Sequence, residues 1–251
     1  MSTELPVPRT HAAGGGVFAT THWTVVLAAG SGDLPQATVA LEELCRTYWY
    51  PLYAFVRRQG HSREDAEDFT QGFFTRLLEK NFLEGITHDK GKFRSFLLVA
   101  LKRFLANEWD HARRQKRGGG AQILSLDWQD ANDRYQIALA DHLSPDKLYD
   151  HAWAMTVLEH VITRLRDEHA VEGKTALYEQ LKPFLMVGKS EIPYASAAAT
   201  LKLTEGAVRV AVHRLRRRYR ELLRDEITQT LANPAQADEE MQALFNALAA
   251  N

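Results

Sequence analysis

An all-α fold, in two small helical domains joined by a flexible linker, is predicted by three features of the sequence. Apolar residues recur at steps of three and four, helix-start signals precede several of these stretches, and no convincing strand alternation appears anywhere. Helices patterned in this way must bury their apolar stripes against one another.

Each element follows from its residues. Residues 1–22 include Gly14–Gly16 in a row and read as a mobile N-terminal segment. Thr24 to Arg58 reads as helical through Val39, Leu41, Leu44, Tyr48, Leu52 and Phe55. Pro51 is expected to end or kink that helix, and Gly60 to stop the next piece. Ser62 followed by Glu64 and Asp65 is a hydroxyl cap with acids in the first turn. The helix it starts should run to about Lys80, with Ala66, Phe69, Phe73 and Leu77 as its stripe and Phe74 beside it.

A loop with Asp89, Gly91 and Lys92 precedes a long helix from near Phe93 to about Lys116. Gly118–Gly120 closes the first domain, which is taken as 23–118. Residues 119–145 read as the linker, with Leu124, Leu126 and Trp128 as anchors. Ser144-Pro145-Asp146 opens the second domain, 146–225, with a helix through Trp153, Leu158, Val161 and Leu165 and another over about Lys174 to Met186. The acidic extension 226–251 carries Met241, Leu244, Phe245 and Leu248 at helical spacing.

Of the 251 residues, 45% are hydrophobic and 25% charged, enough to build real cores. A single cysteine, Cys45, excludes an internal disulfide framework and a multi-cysteine zinc site, and suits a reducing cytosol. No secretory signal is read at the start, and the apolar run Phe96 to Ala106 contains Lys102 and Arg103 and is too short for a bilayer. A cytoplasmic protein is therefore expected, without a membrane partner. No nucleophile elbow, phosphate loop or metalloprotease motif is present in the sequence, so neither an enzyme nor a cofactor or metal site is expected.

The formal net charge of −1 hides strong segregation. Lys102 to Arg117 holds six Lys/Arg against two acids, and Arg209 to Arg220 holds six Arg and no acid. Two basic stretches far apart on a neutral chain suggest two contacts with a polyanion.

The second stretch has the plan of a helix-turn-helix. Tyr194 to Leu201 is a short helix of small residues, Lys202-Leu203 makes the turn, and Thr204 caps the next helix with Glu205 at its positive end. Val208, Val212, Leu215, Tyr219 and Leu222 form its apolar stripe. The other side carries Arg209, His213, Arg216, Arg217 and Arg220, with Arg214 in the same cluster. Early residues of such a helix meet base edges, and its arginines bind phosphates.

The run "YASAAATLKLTEGAVRVAVHRLRRRYRELL" resembles region 4 of bacterial sigma factors, especially the extracytoplasmic-function type. The resemblance implies binding of the −35 promoter element and contact with the polymerase β flap. "YWYPLYAFVRRQGHSREDAEDFTQGFFTRLLE" and "GKFRSFLLVALKRFLANEWDHARRQKR" are similar to sigma region 2 in order and spacing. By resemblance, Asp65, Asp68, Phe69, Gln71 and Phe74 lie on or beside the surface that docks on the β′ clamp helices of core RNA polymerase. The same stripe also serves a helical core, and Phe73 is assigned there.

The helix beginning at Phe93 matches the family's promoter-melting and −10 recognition segment. Its candidate DNA contacts are Arg94, Phe96, Lys102, Arg103, Asn107, Arg113, Arg114, Lys116 and Arg117. Aromatic and basic residues interleave there, as stacking on splayed bases and holding a single strand require. Where most members carry an Arg-Asn pair and then Asp, this chain has Lys102, Arg103 and Asn107.

The expected function is thus a sigma factor that binds core polymerase and directs promoter recognition and melting. The alternatives are a helix-turn-helix regulator acting without polymerase, and a polymerase-binding antagonist. The C-terminal extension is expected to pack on the arginine helix or the second domain. A sharper alternative is self-inhibition, with the acidic tail shielding the basic DNA surface; an anti-sigma factor is a further possible partner.

Overall fold

The computed structural model describes residues 22–29, 35–78, 91–112, 127–138, 142–186 and 193–249. These residues are mostly helical, with no strand among them. The expectations for 1–21, for Asp89, for Leu124 and Leu126 and for the end of the first basic stretch lie outside the described residues.

Helix α1 (His22–Ala29) lies along α2 (Pro35–Arg58). Of the two outcomes expected at Pro51, the helix does not end there: α2 runs through it. A proline inside a helix costs roughly 3 kcal/mol. Here Tyr48, Tyr50, Leu52, Tyr53 and Phe55 are all buried on either side of it, and that burial outweighs the local cost. Gly60 then adopts φ 96, a conformation that favours glycine, and its N–H closes the helix end on the Arg57 carbonyl at 3.0 Å.

Helix α3 (Arg63–Leu78) starts where Ser62 Oγ accepts from the Asp65 N–H at 3.1 Å. It packs on α2 and on α4 (Phe93–Ala112). Helix α5 (Trp128–Ala138) occupies part of the segment expected as linker. Trp128, Ala131 and Tyr135, at steps of three and four, turn toward α2, and the Trp128 ring lies 5.7 Å from Trp49 and 5.8 Å from Tyr53.

Helix α6 (Pro145–Val171) is the longest among the described residues, capped by Ser144, whose Oγ accepts from the Lys147 N–H at 3.4 Å. It packs along α2 and also carries α10 and α11, introduced below. Its buried residues include Tyr149, Ala152, Trp153, Thr156, Val157, Val161 and Leu165, a spread suited to a helix covered on several sides.

Helices α7 (Thr175–Leu181), α8 (Pro183–Met186) and α9 (Tyr194–Leu201) lead to α10 (Glu205–Gln229). Thr204 Oγ1 accepts from the Ala207 N–H at 3.2 Å, as its sequence position predicts. Lys202 makes the α9–α10 turn in the left-handed region, φ 54. A short 3-10 turn leads from α10 to α11 (Ala237–Leu248), which lies on α6 and α10.

One continuous set of buried side chains runs from Trp23 to Ala247, across the boundaries expected near 118 and 146. Two backbone hydrogen bonds cross them as well. The Phe93 N–H donates to the Thr230 carbonyl at 3.0 Å, and the Ala232 N–H to the Gly91 carbonyl at 2.9 Å. Together they tie the start of α4 to the chain just after α10.

Phe73 is fully buried, with Phe74 and Phe104 at 5.7 and 5.8 Å. Phe73→Ala should cost roughly 3–5 kcal/mol, read as a lower urea midpoint at unchanged slope. Val99→Ala, at an exposed site, should stay within about 0.5 kcal/mol by the same measurement.

Candidate nucleic-acid and polymerase surfaces

Three surfaces carry the residues that the sequence points to. The first is α3. Asp65 and Asp68 are exposed, and Phe69 is half-buried with its ring 5.1 Å from His61. Gln71 is half-buried, and its backbone carbonyl accepts from Thr75 Oγ1 at 2.9 Å. Phe74 is not exposed on this surface: it is 1% exposed, because α3 is covered by α2 and α4 together and not along a single stripe. Beside Phe69 a groove of about 540 Å³ runs past His61, Lys102 and Leu105.

The second surface is α4. Arg103 and Asn107 are exposed, and Arg113, Arg114, Lys116 and Arg117 lie outside the described residues. Lys102 reaches Asp146 at the start of α6, with its ammonium 5.5 Å from the centre of the Phe55 ring. Phe96 is only 8% exposed, packed 5.3 Å from the Trp23 ring, with an edge left on the groove described below. The α1 tryptophan covers a ring that the pattern of α4 alone leaves open.

Arg94 is also withdrawn from solvent. Its Nε donates to Glu240 Oε1 at 2.8 Å and its Nη1 to Asp150, and the guanidinium lies 4.4 Å from the Trp153 ring centre. Burial works against its charge, but the bonds and attraction to Glu240 and Asp150 more than offset this. The guanidinium is held above the ordinary arginine range. Burial raises the Asp150 carboxyl above its usual value even against Arg94. Glu240 is fully buried and also takes Lys92 Nζ at 3.0 Å. Between α4 and the turn before α11, a groove of about 520 Å³ is lined by Lys92, Phe96, Val99, Arg103 and Gln236.

The third surface is the α9–α10 pair. Val208, Val212, Leu215 and Leu222 are buried along one side of α10. Arg209, His213, Arg217 and Arg220 are exposed on a neighbouring flank. Arg209 sits 5.3 Å from the centre of the Tyr194 ring and 3.7 Å from Glu205, and Arg217 reaches Glu221 at 2.9 Å. Thr204 and Glu205 are exposed at the turn.

Two arginines depart from expectation. Arg216 is spent on structure: its Nε and Nη2 donate to the Phe184 carbonyl at 3.0 and 2.6 Å, tying α10 to α8. Arg214 is exposed but stands on another flank, where it lines a groove with Lys174 and Leu177. Arg218, not singled out from sequence, binds Glu168 of α6 through two bonds of 2.8 and 2.7 Å.

Sequence reasoning also missed Glu240, Lys92, Asp150 and Trp153 as a connected cluster. A signal for the first exists. Ala237, Glu240, Leu244 and Ala247 follow steps of three and four and form the buried face of α11. The expected stripe of Met241, Leu244, Phe245 and Leu248 is rotated from this, and Phe245 is 49% exposed. The larger side chains dominate a reading by hydrophobicity, whereas the small alanines let α11 approach closely.

Among the described residues, no group of three or more His, Cys, Asp or Glu is arranged to hold a metal, and no helix is long and apolar enough to cross a membrane. No protein family, curated protein or solved structure matches this chain.

Two outcomes follow. Arg216→Ala should lower the melting temperature, whereas Arg220→Ala should leave it nearly unchanged, by thermal scans of each purified variant. The Arg218 hydrogen bond lowers the Glu168 pKa. Its stabilisation is therefore complete above the ordinary glutamate range and lost as pH falls through the lowered folded value. Glu168→Gln should flatten part of the fall in melting temperature between about pH 6 and pH 3.

Proposed function

We propose that this chain is a bacterial sigma factor. It binds core RNA polymerase, reads promoter DNA through two separate surfaces and helps to open the duplex, acting in the cytoplasm. The observation that carries most weight is the capped α9–α10 pair, with Arg209, His213, Arg217 and Arg220 exposed along one flank of the second helix. A short helix, a tight turn and a capped second helix with an exposed cationic flank suit entry into a major groove. On this reading α10 contacts the −35 element.

Two further features support the same function. Exposed Asp65 and Asp68 stand beside half-buried Phe69, an apolar centre with a charged rim of the kind that docks another protein. That is the surface assigned to the polymerase clamp. The groove along α4 joins the cations Lys92 and Arg103 to exposed Val99 and the edge of Phe96, which suits a splayed base and its phosphate. The halves expected from sequence, 23–118 and 146–225, share one buried core, so α3, α4 and α10 present these surfaces from a single packed body.

One observation favours a second function, a duplex-binding regulator that needs no polymerase: α10 offers its basic flank, while Arg94 of α4 is held by Glu240.

Run-off transcription from a promoter library, with core polymerase and with or without the protein, separates the two. Specific starts only with the protein are expected. Asp68→Ala combined with Phe69→Ala should abolish both the starts and core binding while duplex binding persists. Clean duplex binding without starts or core binding would favour the regulator instead. Binding to duplex should weaken linearly on a log–log plot against salt, and Arg217→Ala or Arg220→Ala should each reduce the slope by about one.

A further inference from the structure

We propose that residues 230–248 form a latch that closes the strand-capturing face of α4 and leaves the duplex-reading flank of α10 open. This rests on the sigma-factor function above and adds its regulation: the free protein is competent to find duplex DNA but not to hold a single strand.

The latch has a charged bolt. Glu240 lies on the buried face of α11 beside Ala237, Leu244 and Ala247. A carboxylate withdrawn from water needs cationic partners. Here they are Lys92 and Arg94, which flank the first residue of α4. The two cations are captured in turn. Arg94 is also bound by Asp150 and covered by Trp153, and Lys92 is shared with Glu239 at 2.7 Å. Neither is free to meet a phosphate while α11 is seated.

The backbone reinforces the bolt. The bonds from Phe93 to Thr230 and from Ala232 to Gly91 fix the start of α4 to the end of α10. Gln236 forms one wall of the α4 groove, so the extension also narrows the space that a base would occupy. An exposed pair, Arg224 with Asp238, holds the root of α11 to α10.

The duplex-reading flank is treated differently. The ion-pair partners of Arg209 and Arg217 are Glu205 and Glu221, both within α10 itself and both exposed. Exposed pairs of this kind are weak and readily exchanged for phosphate. Of the extension's acids, Glu239 and Glu240 thus guard the start of α4, Asp238 pairs with Arg224 at the far end of α10, and none pairs with Arg209 or Arg217. A single strand, with phosphates to replace the Glu240 carboxylate and bases to fill the groove, competes for the same cations.

The test uses the full-length chain in four forms: unmodified, Glu240→Gln, Leu244→Asp and, as a control, Glu239→Gln. Affinity for a single-stranded oligonucleotide and for its duplex is read by fluorescence anisotropy, and seating of α11 by hydrogen exchange. Glu240→Gln leaves the two cations without their buried anion. Leu244→Asp unseats α11 by a different route, without touching the bolt. Both should bind the single strand about tenfold tighter, with duplex affinity within about twofold of the unmodified chain. Glu239→Gln removes only the exposed partner of Lys92 and leaves Glu240 in place, so its gain for the single strand should be much smaller than that of Glu240→Gln.

Equal single-strand affinity in all four forms, with α11 released in Leu244→Asp, would overturn the latch. So would an equal gain for duplex and single strand. Should Glu240→Gln fail to fold, Leu244→Asp decides alone, and should α11 stay protected in both variants, the bolt is overturned. Core-polymerase binding by the unmodified chain is measured separately. Its absence would remove the sigma-factor function while leaving the single-strand comparison intact.

Discussion

The packing of α6 against α2 is the constraint on which the rest of the structure depends. The two helices come from distant parts of the chain, and each brings large side chains that have no other place to go. Tyr48, Leu52 and Phe55 on α2 and Tyr149 and Trp153 on α6 are all fully buried, with Phe55 and Tyr149 rings 6.5 Å apart. Aromatic side chains each bury on the order of 150–250 Å², so this seam dominates the apolar burial. With α2 along one side of α6 and α10 and α11 also seated on it, the position of every surface element is referred to it. The Tyr149 hydroxyl donates to the Arg94 carbonyl at 3.0 Å, so α4 is registered to the seam as well.

The seam has an electrostatic consequence. It brings Arg94, Asp150 and Trp153 to one place, and α11 closes over them with Glu240. Buried ion pairs are weak evidence for stability, since desolvation offsets much of their attraction. They are better suited to fixing a particular arrangement that another anion can undo. The contrast with α10 is instructive, because there the arginines that serve structure point inward or sideways. Arg216 holds the Phe184 carbonyl and Arg218 holds Glu168. Those left outward form the cationic flank. One basic stretch is thus divided by packing into fasteners and contacts.

Local signals carried the helix ends well. The caps at Ser62, Ser144 and Thr204, the stop at Gly60 and the bounds of Tyr194–Leu201 follow from short-range chemistry that the sequence displays directly. Readings that depended on what covers a helix fared differently. The run through Pro51, the burial of Phe74 and Phe96, and the α5 helix within the expected linker are all set by distant partners. For the candidate surfaces, exposure of Asp65, Asp68, Arg103, Asn107, Arg209, His213, Arg217 and Arg220 agrees with their polar patterning. The withdrawal of Arg94 was not legible, because its two anions, Asp150 and Glu240, lie 56 and 146 residues away. The clue was a glutamate at a core position of a helix whose other core residues are mostly alanine, which hydrophobicity alone ranks as surface.

As a sigma factor, the function proposed above, this chain would let core polymerase open promoter DNA, and strand opening can be read directly. Unpaired thymines react with permanganate, whereas those stacked in duplex do not. On a promoter bound by core polymerase and this protein together, thymines around the −10 element should become reactive, and neither component alone should produce the signal. Duplex binding by the protein with no reactive thymines under any combination would rule out the sigma-factor function.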